Sequence, residues 1–200
     1  MDERQEDSGC GCQPPDPRQR RKLGTMLVVA LAPLVPAVRA AEGTGSNTGT
    51  KPRAGLRLAV AMGERAGQEV KPADVVLGQD PVLAYPMDAG GKVLESRINL
   101  LAIVRVPEVD LAPEVKPHAP QGIVAYSAVC THYGCPVTKT DAARNSLVCN
   151  CHGSAFDACK RGVVVQGPAT RRLPMLPLTL QSASLVINGG FDGPLGPPTS

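Results

Sequence analysis

The chain has 200 residues, with 21 Lys+Arg against 18 Asp+Glu. A formal net charge of +3 is too small for a protein that grips nucleic acid through its phosphates, and 3 Tyr, 2 Phe and no Trp leave little surface for stacking bases. Gly (21) and Pro (20) make up about a fifth of the residues, which favours short strands and turns over long helices.

Residues 1–40 read as an address rather than as part of the fold. An acidic, Pro-rich start is followed by Arg18, Arg20, Arg21 and Lys22, then by an apolar run from Leu23 to Val38 and the small residues Ala40 and Ala41. A charged region, a short apolar region and a small-residue end are the layout of an export signal. Pro33 and Pro36 break the apolar run, which falls short of the ~20 apolar residues that a bilayer span needs. Cleavage near Ala41 is therefore expected over a retained anchor. Arg20-Arg21-Lys22-Leu23 resembles a twin-arginine signal, which exports proteins already folded around a cofactor. The expected location is the periplasm, with a partner or an uncleaved signal as the route to any membrane association. Cys10 and Cys12 precede the cleavage point and are given no function.

Residues 41–54 form a linker by composition, rich in Gly, Thr, Ser, Asn and Lys. The domain occupies 55–200. Strands or strand pairs are expected over Pro81–Met87, Arg97–Val106, Gly122–Val129, Ser146–Cys151, Gly162–Gln166 and Leu176–Asn188, where short apolar runs alternate with turn residues. Leu56–Gln68 is ambiguous. Pro107–Gln121, with prolines at 107, 113, 117 and 120, reads as a long surface loop in which His118 is solvated. No segment sustains a helical period. The expected class is all-β.

Two hexapeptides carry the chemistry. Cys130-Thr131-His132-Tyr133-Gly134-Cys135 and Cys149-Asn150-Cys151-His152-Gly153-Ser154 each hold two Cys and one His, and each follows an expected strand. Two of the three histidines of the whole chain lie here. Buried structural Cys with satisfied His is the plainest reading, but it does not explain why Cys, His and Gly recur together in both places. A structural zinc site is the second, since Cys₂His₂ sets suit tetrahedral zinc. Its usual spacing pairs like ligands, C-x₂₋₄-C with H-x₃₋₅-H, whereas each motif here mixes them. The third is a Rieske 2Fe–2S centre, in which two His replace two Cys on one iron.

The pattern C-T-H-x-G-C with C-x-C-H-G-S closely resembles that of Rieske iron–sulfur proteins. The resemblance implies an antiparallel β-sandwich with a small cluster-binding subdomain, about 126–175. It also implies that Cys130 and Cys149 hold one iron as thiolates and that His132 and His152 hold the other. Cys135 and Cys151 would form a disulfide joining the two loops. Gly153 and Ser154 would donate hydrogen bonds to cluster sulfurs. Gly167-Pro168-Ala169-Thr170-Arg171-Arg172-Leu173-Pro174 resembles the family's covering loop, and Cys159 is left as an unpaired structural Cys. Arg171 and Arg172 read as exposed arginines without an assigned task. The charge arithmetic supports this chemistry: two ferric ions (+6), two sulfides (−4) and two thiolates (−2) sum to zero. A neutral centre accepts an electron more readily than an all-Cys cluster, which is why Rieske centres lie at roughly −150 to +300 mV against about −400 mV for plant-type ferredoxins.

Within the family, Asp80–Gly193 resembles the small subunit of arsenite oxidase-type enzymes, through Gly122-Ile123-Val124-Ala125-Tyr126-Ser127, Phe156-Asp157-Ala158 and Gly189-Gly190-Phe191-Asp192-Gly193. That resemblance implies an electron-transfer subunit, not catalytic alone. Its donor would be a large molybdopterin-containing subunit, and its acceptor a soluble cytochrome c or cupredoxin. The alternative is the Rieske subunit of a bc-type quinol:cytochrome c reductase, with cytochrome b and c1 as partners. The second hexapeptide resembles that version, although its members usually carry Tyr where this chain has Phe156.

Overall fold

The computed structural model describes residues 51–198; the export signal and residues 41–50 of the linker lie outside the described residues. Four strands come first: β1 (Arg57–Val60), β2 (Val82–Met87), β3 (Leu101–Arg105) and β4 (Ile123–Ser127). Next are β5 (Lys139–Asp141), β6 (Ser146–Cys149), β7 (Ser154–Asp157) and β8 (Val163–Gln166). The last are β9 (Met175–Leu176), β10 (Leu178–Gln181) and β11 (Ser184–Ile187). The only helical elements among the described residues are short 3-10 turns. The fold is all-β, as the composition implied.

The strands form two antiparallel sheets. The larger has the order β10-β11-β1-β2-β3-β4-β9, and the smaller runs β5-β6-β7-β8. β9 and β10 are consecutive in the chain, separated by Pro177 alone, yet they stand at opposite ends of the larger sheet. β9 pairs with β4 while β10 pairs with β11, so one kinked ribbon nearly closes the sheet on itself. Proline has no N–H for a ladder, which places the kink there.

β3 and β4 explain how the small sheet is held. Leu101, Ile103, Ile123 and Ala125 face one apolar cluster together with Leu58, Leu178 and Ile187. Ala102, Val104, Val124 and Tyr126 face a second one, which includes Leu147 of β6 and Phe156 of β7. Both strands are therefore buried on two faces, which is why their sequences are continuous apolar runs rather than alternating ones. The small sheet packs on the outer face of these strands.

The segment 107–121 departs from the expected surface loop. It contains three 3-10 turns, and Leu111, Val115 and Ala119 are buried in the second cluster. The four-residue spacing of these apolar side chains brings them to one side, and the Ala112 N–H donates to the Cys159 carbonyl (3.0 Å). His118 accordingly is half-buried rather than solvated, beside Glu114, Arg161 and Asp192 around a small cavity.

One hydrogen bond spans the two sheets. The Tyr126 hydroxyl on β4 donates to the carbonyl of Ala158, just past β7, at 2.8 Å, and Tyr126 is fully buried. Tyr126→Phe leaves that carbonyl without this donor and is expected to destabilise the fold by about 1–3 kcal/mol. The check is a lower denaturation midpoint at unchanged slope; an unaltered midpoint would refute the bridge.

Candidate metal centre

The two hexapeptides fold into matching turns. After β4, the Gly134 N–H donates to the Cys130 carbonyl (2.8 Å) and the Cys130 N–H donates to the Cys135 carbonyl (2.9 Å). Between β6 and β7, the Gly153 N–H donates to the Cys149 carbonyl (3.0 Å). In each loop a Gly four residues beyond the first Cys closes one turn, and both glycines lie in the left-handed region (φ 74 and 72). Only Gly adopts that conformation without strain.

The turns bring the six Cys and His side chains together. Cys135 and Cys151 form a disulfide, with Cα atoms 6.5 Å apart. Cys130 and Cys149 remain free and buried. The His132 and His152 rings stand edge to face, with centroids 4.8 Å apart. His132 Nδ1 is buried and has no hydrogen-bond partner. Burial pushes the Cys149 thiol up and the adjacent Cys130 adds to this, while backbone N–H groups of Cys151 and His152 pull it down. The His132 N–H likewise approaches Cys130 Sγ (3.5 Å). Two buried thiols surrounded by N–H donors, beside two imidazoles, suit a cation that takes thiolate and nitrogen ligands. By proximity alone, the group of donor atoms that lies together among the described residues is Cys135, Cys149 and Cys151, with sulfurs within 4.8 Å. Two of those sulfurs are bonded to each other and have no thiolate to offer, so the free donors are Cys130 and Cys149 with the two histidines.

The third segment seals the arrangement. Gly167 has φ +84, and a Cβ there would lie 2.5 Å from Ser154 Cα and 2.7 Å from the Gly153 carbonyl. The covering segment therefore touches the second loop backbone to backbone, with Pro168 exposed beyond it. The Ala169 N–H donates to Ser154 Oγ (3.2 Å), which leaves the serine proton available as a donor. Phe156 is fully buried in the same apolar cluster as Cys130 and Cys149. Cys159 is also buried, and its thiol is pushed up to about 11, first by burial and then by Asp157 and Asp110. It is an inert structural Cys.

Sequence reasoning missed several residues. Thr131 Oγ1 donates to the Arg171 carbonyl (2.5 Å), tying the first loop to the third. Arg97 Nη2 donates to the Gly134 carbonyl (2.8 Å) from 37 positions away, a contact no local pattern announces. Tyr133 is 71% exposed, with its ring 4.6 Å from that of His132 and 5.8 Å from that of His152. Arg171 and Arg172 are not idle surface residues. Both are half-buried, and Arg172 pairs with Asp192 at 2.8 Å because the C-terminal segment packs against their loop.

An antiparallel β domain presenting two disulfide-linked Cys/His loops is the architecture of a Rieske iron–sulfur protein. The model of the Rieske [2Fe-2S] domain family matches residues 90–177, so the chain carries a Rieske domain, whose cofactor is a 2Fe–2S cluster. The cytochrome bc1 complex Rieske iron-sulfur subunit of Streptomyces coelicolor is 33% identical over 193 residues, covering 89% of this chain and 53% of that protein. The corresponding subunit of Corynebacterium efficiens is 49% identical over 74 residues, 36% of this chain and 18% of that one. A putative respiratory nitrate reductase Rieske subunit of Haloferax mediterranei is 47% identical over 77 residues, 38% of this chain and 34% of that one. The chain spans about half or less of the length of these relatives. They are subunits of bc1 complexes and of a nitrate reductase rather than of arsenite oxidase.

The disulfide yields a prediction. Replacing both Cys135 and Cys151 by Ala frees the loops while leaving the four candidate ligands, and should speed iron loss and lower the reduction potential. Iron content over time and a redox titration check this. Unchanged values would show that the bridge does not clamp the loops.

Proposed function

We propose that Cys130 and Cys149 bind one iron as thiolates, and that His132, through Nδ1, and His152 bind the other. The observation that carries this is the orphaned, buried Nδ1 of His132 beside a second imidazole and two buried thiols. When bound, the cluster supplies one-electron exchange. The residues around it hold the loops, donate to the sulfurs and leave His152 exposed as a route for electrons. One-electron exchange at such a centre makes the protein an electron relay.

The chain is read as the Rieske subunit of a bc-type quinol:cytochrome c reductase, itself exported through a twin-arginine signal. Support comes from the two bc1 relatives, one of them similar over 89% of this chain, and from the Cys149–Ser154 motif. A second reading, a subunit of an arsenite oxidase-type molybdopterin enzyme, is favoured by Phe156 and by the interrupted apolar run of residues 23–38.

Purification from fractionated cells distinguishes the two. The first reading expects a b-type cytochrome in the same complex, reduction of the protein by quinol, and the domain on the outer side of the membrane. A molybdopterin subunit without b haem would establish the second reading. Retention in the cytoplasm of wild-type protein would overturn export.

Phe156 offers a test at the level of the residue. It keeps the ring but lacks the tyrosine hydroxyl that the resemblance to the quinol-oxidising version implies at this place, donating to a ligand sulfur. A hydrogen bond to a charged group is worth about 1.5–3 kcal/mol, and its difference between redox states is smaller. At 59 mV per tenfold for one electron, Phe156→Tyr is expected to raise the potential by about 30–80 mV. An unchanged or lowered potential with an intact spectrum would remove Phe156 from the tuning position.

A further inference from the structure

Two adjacent arginines of the covering segment are treated differently. Arg172 Nη1 donates to Asp192 Oδ1 (2.8 Å) and its Nη2 to the Asp192 carbonyl (2.7 Å), and Asp192 also pairs with Arg161 (2.7 Å). Arg171 forms no ion pair among the described residues. Its guanidinium donates through Nη2 to a neutral acceptor, the Gly196 carbonyl (2.5 Å), while its Nε is buried without any partner. A half-buried cation without a counter-charge is unfavourable, and such groups are normally paired.

Arg105 is likewise half-buried and bonded only to carbonyls, so what sets Arg171 apart is its position. The Arg171 carbonyl receives the hydroxyl of Thr131, which lies between Cys130 and His132. The Gly196 held by its side chain is buried, and a Cβ there would lie 3.7 Å from Val129, the residue before Cys130. A Cβ on Gly134, near the other end of the same loop, would likewise lie 3.6 Å from Pro197 Cδ. Arg171 thus fastens the C-terminal segment across the first loop and leaves its charge there.

We propose that Arg171 is a positioning residue of the redox centre, whose unpaired charge is balanced by the electron that the centre accepts. The inference rests on the ligand assignment above. One-electron reduction takes the centre from neutral to −1 without making or breaking a bond. A fixed cation in a partly desolvated place favours the reduced form. Thr131 and the Gly196 strap fix the distance at which it acts.

The test is a redox titration of the loaded protein with dithionite, accompanied by iron content and electron paramagnetic resonance. Arg171→Gln is expected to shift the one-electron equilibrium at least threefold toward the oxidised form, about 30 mV at 59 mV per tenfold. Arg171→Lys keeps the charge and should stay near wild type. An unchanged potential in Arg171→Gln with iron retained overturns the proposal. Equal shifts in both variants overturn it too, since geometry rather than charge would then be responsible. If Arg171→Gln loses its iron, Arg171→citrulline decides the matter, because its side chain keeps the donor to the Gly196 carbonyl and lacks only the charge. A lowered potential supports the proposal and an unchanged one overturns it. Wild-type protein without a mixed-ligand 2Fe–2S resonance would fail the ligand assignment itself, and this inference with it.

Discussion

Everything at the site depends on two loops being held face to face. A loop has no ladder on either side, and fixing the backbone of each residue opposes folding by about 1–2 kcal/mol. The Cys135–Cys151 bond supplies a covalent tie between them. Gly167 supplies a contact that no other residue could make, since a Cβ would sit 2.5 Å from Ser154 Cα. Pro168 then restricts the backbone directly after that contact. The third segment reaches the first loop as well, through Thr131 and the Arg171 carbonyl. Each pair of segments is therefore joined by at least one interaction, and a triangle of ties resists motion that a single bridge would permit.

That triangle is only as firm as its base. The first loop leaves β4 and the second leaves β6, and these strands belong to different sheets. Tyr126 and Leu147 meet in one apolar cluster with Cys130 and Cys149, so these two candidate ligands are continuous with the packing between the sheets. Because β3 and β4 are buried on both faces, a shift of the small sheet would disturb the interior of the nearly closed larger one. Close packing thus extends the rigidity of that interior to the loops.

The strands that bear a dense apolar signal were legible in the sequence: β2, β3, β4, β6, β8 and the β10–β11 hairpin all fall within expected segments. β5 was not, because Lys139-Thr140-Asp141 has no apolar residue. It is a strand through its pairing with β6 and through Asp80, which accepts the Thr140 N–H (3.0 Å) and pairs with Lys139 (2.6 Å). β7 was hidden because Ser154 and Ala155 continue the second motif, and its strand character comes from pairing on both sides. β1 lay in the ambiguous stretch after Leu56. The site was far more legible than the fold, since a mixed Cys/His pair in a Gly turn serves few chemistries. The residues that support it, Arg97, Arg171 and Asp192, were silent, because their partners are distant in sequence and arginine is common on surfaces.

The second layer around the loops follows one electrostatic rule. Backbone N–H groups of His132, Cys151 and His152 point at the free sulfurs, and an arginine without a carboxylate partner anchors the strap over the first loop. The acid nearest in that network, Asp192, is engaged by Arg161, Arg172 and the Met175 N–H. Burial alone would raise its pKa, but those partners outweigh burial and hold it below the ordinary carboxylate range. Its charge is thus committed to the arginines of the covering loop and the β7–β8 turn. With donors at the sulfurs and the Asp192 charge neutralised, little negative charge in this network opposes an added electron. The same partition lets one acidic residue brace the covering segment without opposing reduction at the site that the segment covers.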